Sequence, residues 1–222
     1  MARLSPFACR VLSAHLFQAC MEHSFTGYPN DDGSEFWKRQ QNLDNRLAVL
    51  FVALPDCVRC PENLARHDAV FINLTLHTAS ICIHRVAVVR AGGAPPHVSP
   101  PAPQDTAARL LTSAQAIFAI INALSDPQLL FANPFVGFAA YVAALVFLSD
   151  FATTHSRTSE ECLTTLVNLM IVIASESLVT ASLALQLAGH LKKSGIDPNA
   201  LEKVRDWAPH HLLGRLSDFS RR

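Results

Sequence analysis

The chain has 222 residues, 50% of them hydrophobic and 16% charged. That balance excludes wholesale disorder, and the length supports a sizeable core without disulfide or metal staples. Eighteen Lys plus Arg offset eighteen Asp plus Glu, so no net positive field exists to grip a phosphate backbone. Eight glycines are few for an all-β fold or a phosphate-loop protein.

In chain order, Leu12, Leu16 and Ala19 recur at helical spacing and predict a first helix with that stripe inward. A polar turn, Thr26 to Gly33, follows. Ser34 then has the chemistry of an N-cap, and Phe36, Leu43, Leu47, Leu50, Phe51 and Leu54 share one helical face up to Pro55. Asp56 to Arg66 reads as a loop. From His67 to Arg90 a helix carries one stripe of Phe71, Leu74, Thr78, Ile81 and Val88 and another of Ile72, Leu76, Ala79 and Ile83. Between them Asn73, His77, Ser80 and His84 form a polar stripe. A helix apolar on two sides is expected between others.

Ala91 to Gln104 holds five prolines and predicts a flexible, partly extended loop between helices of one bundle. Asp105 or Thr106 is the expected cap of the next helix, whose core face is Leu110, Ala114, Ile117, Phe118, Ile121 and Leu124. Ser125-Asp126-Pro127 ends it. Asn133-Pro134 reads as another helix start. The helix behind it is apolar nearly all round, with Phe135, Phe138, Val142, Leu145 and Val146 on one side and Ala139, Ala143 and Phe147 on the other, which predicts a central place. Thr158 to Glu161 has capping-box spacing with Thr158 as N-cap. The helix it opens is expected to reach Lys193, about 50 Å away. Lys192 and Lys193 suit its C-terminal end, Gly195 its stop, and Asp197-Pro198 a further short helix.

No secretory signal is evident, since Arg10, His15, Glu22 and His23 interrupt the first segment. The uncharged run Pro127 to Ser149 is long enough to span a bilayer. Behind Pro134, however, the piece Phe135 to Ser149 is shorter than a span, and neither flank carries a cluster of Lys or Arg. A buried helix is expected rather than a span. A membrane reading would also need Cys162 to Ser175, which Glu176 closes. The expected architecture is all-α: a multi-helix bundle forming a single 1–222 domain, with a Pro-rich loop at 91–104 and short helices in 194–222.

The six cysteines are Cys9, Cys20, Cys57, Cys60, Cys82 and Cys162. Their irregular spread reads as reduced thiols filling a core rather than a disulfide framework. Cys57-Val58-Arg59-Cys60 has zinc-like spacing, but a structural site needs a second ligand pair, and Cys82, Cys162, His67 and His77 do not supply one in pattern. His77 and His84 lie two turns apart on one face. They suit acid–base or metal chemistry, or hydrogen bonding between packed helices. His210-His211 has no partner in sequence. Glu176, between Ser175 and Ser177, interrupts an apolar run and belongs either at a ligand cavity or on an exposed helix edge. No nucleophile elbow, phosphate loop, dinucleotide fingerprint or HExxH motif is present. No catalytic, cofactor-binding or metal-ligating residue is therefore assigned. An α-helical small-molecule binder or enzyme using His77, His84 or Glu176 is the alternative, and requires those side chains to converge on a closed cavity.

Three segments together carry a resemblance. The first is Phe36-Trp37-Lys38-Arg39 leading through Leu43-Asp44 to Ala53-Leu54-Pro55. The second is Leu74 to Arg85, a His-bearing helix ending in His84-Arg85, and the third is Asn133-Pro134-Phe135 leading into Ala139-Ala140 and Ala143-Ala144. In order and spacing they resemble the C-terminal part of the middle homology region of fungal zinc-cluster transcription factors. The match covers Phe36 to Leu148, about half the chain, and the family-like core extends over 36–193. The resemblance implies an all-helical, nuclear, non-catalytic regulatory domain of a fungal RNA polymerase II transcription factor. It implies protein partners from the transcription machinery or a full-length family member, contact with DNA only through them, no membrane, and room for a small-molecule effector or a homodimer. The family's zinc belongs to a six-cysteine DNA-binding cluster flanked by basic residues. No such spacing occurs in this chain, so no cofactor is expected in it, and Cys57 and Cys60 do not carry over as zinc ligands.

Overall fold

The computed structural model describes residues 4–26, 34–91, 103–124, 133 and 135–194. Among these there are seven α-helices and no strand, so the fold is all-α. The chain divides into two compact units, 1–123 and 124–222. The helices of the first are α1 (Pro6–Phe25), α2 (Ser34–Ala53), α3 (His67–Ala91) and α4 (Pro103–Asn122), with a 3-10 turn at Asp56–Val58. Those of the second are α5 (Phe135–Thr154), α6 (Arg157–Ala174) and α7 (Leu178–Lys193). The Pro-rich segment thus connects two helices of one unit. Residues 92–102 themselves, the polar turn at 27–33, Gly195, the Asp197-Pro198 helix start and His210-His211 lie outside the described residues.

Helix α3 is the axis of the first unit, packing on α1, α2, α4 and the 3-10 turn. Fourteen of its 25 residues are buried, which is why its two apolar stripes show no single solvent face. Helix α1 starts where Ser5 accepts a hydrogen bond from the Ala8 N–H at 3.1 Å and Pro6 occupies the first turn, the arrangement that satisfies an orphan donor and needs none from proline. Its inward stripe differs from the expected one. Cys9, Ser13, Leu16, Cys20 and His23 are buried, whereas Leu12 is 41% exposed. The stripe is set by small side chains that let α1 lie close along α3, and a reading that weights large apolar residues passes over it.

Helix α2 contributes Phe36, Leu43, Leu47 and Leu50, with Leu54 just beyond its end, all buried as expected. Most of them join Cys9, Leu16 and Cys20 of α1 and Ile72, Leu76 and Ile83 of α3 in one apolar cluster. Each such side chain contributes about 1.5–3 kcal/mol on leaving water. Helix α4 begins at Pro103, earlier than the expected cap at Asp105 or Thr106. Proline has no N–H to lose in a first turn, and Asp105 there suits the positive end of the helix.

In the second unit each helix packs on the other two. Asn133 starts α5 as expected, its Oδ1 accepting from the Phe135 N–H at 3.0 Å. The helix continues to Thr154 and is 20 residues long, so the expectation that its apolar stretch falls short of a span is corrected. Both α3 and α5 are long and apolar enough to cross a membrane, and 61% and 56% of their most apolar windows are buried inside the fold.

Two further expectations are corrected. Helix α6 is capped by Ser156, whose side chain accepts from the Ser159 N–H, and not by Thr158. The long helix to Lys193 is in fact two helices of 18 and 16 residues, about 27 and 24 Å long. At the break the Ser175 hydroxyl donates to the Val172 carbonyl at 2.7 Å. Ser177 then caps α7 by accepting from the Thr180 N–H at 3.3 Å. Serines that bond the backbone locally compete with helix continuation, which explains why Ser175-Glu176-Ser177 splits the rod.

Candidate functional site

Among the described residues, the polar stripe of α3 is the sequence-predicted cluster whose members engage neighbouring elements together. Asn73 sits at its start. Its Nδ2 donates to the Val58 carbonyl at 2.7 Å and to the Ala69 carbonyl at 2.8 Å, and so pins the 3-10 turn onto α3. Ser80 accepts from the Ser113 hydroxyl of α4 at 3.1 Å in a buried contact. His84 is 5% exposed, and its Nε2 lies 3.4 Å from Asp44 Oδ1 of α2. His77 lies against Phe51 of α2, ring centroids 4.8 Å apart. The stripe is therefore a seam that takes partners from α2, α4 and the turn.

Asp44 is the branch point of this seam. Besides His84 it receives Arg109 of α4, whose Nη1 donates to both carboxylate oxygens at 2.8 and 2.7 Å. Hydrogen bonding by His84 is the main reason the Asp44 carboxyl is held below its ordinary value; the charges of His84 and Arg109 act the same way, and burial opposes them. Its contribution is thus present above pH 3.8 and is lost as pH falls through the lower folded value. Asp44→Ala is expected to cost about 1–3 kcal/mol, because a buried imidazole loses its partner. Arg109 has a 56% exposed side chain, and Arg109→Ala is expected to cost under about 1 kcal/mol. Urea denaturation of both variants checks this, and equal losses would mean that the surface ion pair, not the histidine, anchors α2.

A third histidine was not singled out from the sequence. His23 of α1 is fully buried, lies 3.0 Å through Nε2 from Gln40 Oε1, and stacks on Phe36 at 4.6 Å between centroids. Arg90 lies over the other ring partner, 4.8 Å from the Phe36 centroid. The signal was available: Phe36, Gln40, Leu43, Leu47, Leu50 and Leu54 alternate at four and three residues, so Gln40 occupies a core position of the seam. Asp44 follows Gln40 by one turn. Burial lowers the His23 pKa, with the Gln40 contact acting against it, and drives that of His77 down to about 4.

Three buried polar atoms of α3 have no hydrogen-bond partner among the described residues: Thr75 Oγ1, His77 Nδ1 and Thr78 Oγ1. Thr75 and Thr78, three residues apart, share a face of the helix, whereas His77 lies on another, so the three do not converge on one point. Glu176 lies in the second unit at the exposed α6–α7 turn, the exposed-edge alternative for that residue.

All six cysteines are free thiols. Burial pushes Cys20 up to about 12 and Cys60 and Cys82 up to about 11, which keeps them protonated and poorly nucleophilic. Cys57 is exposed in the 3-10 turn and Cys60 lies half-buried beyond it. Among the described residues no group of three or more His, Cys, Asp or Glu is placed to hold a metal ion. Compared with protein-family models, curated proteins and solved structures, the chain matches none.

Proposed function

We propose that the chain is a non-catalytic regulatory region of the fungal zinc-cluster transcription-factor type, acting in the nucleus through protein partners and reaching DNA only through them. The observation that carries this reading is the order and chemistry of three segments. Phe36 to Pro55 forms α2 and its exit, Leu74 to Arg85 lies in the central α3, and Asn133 to Ala144 opens α5. Their apolar residues supply buried positions in both units: Phe36, Leu43 and Leu54; Leu74, Ile81 and Ile83; Ala139, Ala140 and Ala143. A seam whose histidines hold helices together is consistent with a protein that transmits contacts rather than transforms a substrate.

The test is a tethering assay. The chain, fused to an unrelated DNA-binding module, is expected to change the output of a reporter bearing that module's sites at least about threefold relative to the module alone, a difference corresponding to about 0.7 kcal/mol of recruitment or more. An unchanged output from a well-expressed nuclear fusion would overturn the regulatory reading.

A further inference from the structure

Helix α2 is held to its unit differently from α1 and α4. Those two pack broadly and closely along α3, and α2 packs on α1 and α3 far less extensively. Leu43, Leu47 and Leu50 give it an apolar footing in the shared cluster. At three levels along α2 a histidine of another helix meets it. Near its start, His23 of α1 lies 3.0 Å from Gln40 Oε1 and stacks on Phe36 at 4.6 Å between centroids. In its middle, His84 of α3 lies 3.4 Å from Asp44 Oδ1. Near its end, His77 of α3 packs on Phe51 at 4.8 Å between centroids.

We propose that α2 is an acid-released helix: as the histidines beneath it take up protons, it leaves the α1–α3 face as a unit while α1, α3 and α4 stay packed together. Two of the three contacts favour a neutral ring. His77 meets the apolar ring of Phe51, and burial alone lowers its pKa from 6.5 to about 4. His23 faces Gln40 and the cations Arg39 of α2 and Arg90 of α3, while Glu22 of its own helix is bridged to Arg39 at 3.9 Å. Burial is the main reason the His23 pKa is lowered; both arginines act the same way, and Gln40 opposes them. A proton on either ring places a cation under α2, and release of α2 returns that ring to water. His84 is the counterweight. It faces Asp44, whose carboxylate Arg109 of α4 also holds, so a proton there completes an ion pair and opposes release, one contact against two. The released form therefore binds more protons than the docked form. Docking is fully present above pH 6.5 and is lost as pH falls toward pH 4. The element that opens is the one with the least packing to lose, as in other sub-global openings. The inference does not rest on the transcriptional reading, because release is measured on the isolated chain.

Amide hydrogen exchange of the full chain, read residue by residue and corrected for the intrinsic pH dependence of exchange, measures the opening of each helix. Between pH 7 and pH 5 the opening constant at Leu43, Leu47 and Leu50 of α2 is expected to rise at least about tenfold. At Ala114, Ile117 and Ile121 of α4 it is expected to change less than about threefold over the same range. His77→Phe keeps a ring against Phe51 and is expected to remove most of the rise in α2 while leaving its opening at pH 7 unchanged or lower. An equal rise in α2 and α4 would overturn the proposal in favour of unfolding of the whole unit. A pH-independent opening of α2, or a rise that His77→Phe and His23→Phe together leave intact, would overturn it by removing the histidines as the cause.

Discussion

Gly137→Ala is expected to destabilise the second unit by about 2–3 kcal/mol, although alanine is the better helix former. A Cβ at position 137 would collide with the Thr180 hydroxyl oxygen and lie 2.8 Å from Thr180 Cγ2. Both residues are buried, Thr180 fully so, and neither helix can yield without disturbing Val136, Ala140 or Ala184 beside them. At Gly137 α5 and α7 thus approach closely for lack of a side chain. Gly189, on α7, supplies the internal control, since a Cβ there meets nothing within 4 Å. Gly189→Ala is expected to stabilise by about 0.5–1 kcal/mol through reduced unfolded-state entropy. Thr180→Ala in the Gly137→Ala background removes the colliding atoms and is expected to recover much of the loss. Chemical denaturation of the four proteins decides it: two alanine variants of equal stability would show that α5 and α7 are not in close contact.

The second large effect is a pH dependence set by His77. Its imidazole is neutral in the folded chain because burial beside Phe51 penalises the cation, lowering its pKa from 6.5 to about 4. The unfolded chain therefore binds more protons between these values. Stability is fully present above pH 6.5 and is lost as pH falls toward pH 4, by up to about 3 kcal/mol. His23 is lowered in the same direction and adds to the slope. Asp44 responds only below pH 3.8. His77→Phe keeps a ring against Phe51 and removes both the titrating group and the unpartnered Nδ1. It is expected to be at least as stable as the parent at pH 7 and clearly more stable at pH 5. Parallel stability–pH curves for parent and variant would contradict the assignment and leave His23 as the source.

Helix existence was legible wherever the apolar period was strong. The alternation from Phe36 to Leu54 gave α2, and the two stripes from Phe71 to Val88 gave a sandwiched α3, because burial on two sides leaves a pattern that composition alone can show. Boundaries were less legible. Pro103 could be read as loop or first turn, and it is a first turn because the missing N–H costs nothing there. Ser156 and Thr158 both offer capping hydroxyls, and only the backbone turn at His155, with φ 55°, places Ser156 at the cap. The break at Ser175-Glu176-Ser177 was visible as an interruption, but a polar triplet on an exposed edge and one that ends a helix have the same composition.

The seam was half legible. Asn73, His77, Ser80 and His84 stood out by spacing, whereas their partners Val58, Ser113 and Asp44 lie on other elements, and pairing across elements leaves no periodic trace. Gln40 was legible as a core position of α2 from its spacing, but its pairing with His23 of α1 was not, for the same reason. Leu12 turns outward because the small side chains of Cys9, Ser13 and Cys20 take the inward stripe.

The most direct test of the proposal that the chain is a regulatory region without its own DNA reader is a DNA-binding titration of the purified chain with metal analysis on the same sample. The account predicts no stoichiometric zinc and only weak, sequence-independent binding, as expected of a chain with no net positive charge. Stoichiometric zinc together with tight, sequence-specific binding would contradict it and would place a metal-dependent reader at Cys57 and Cys60.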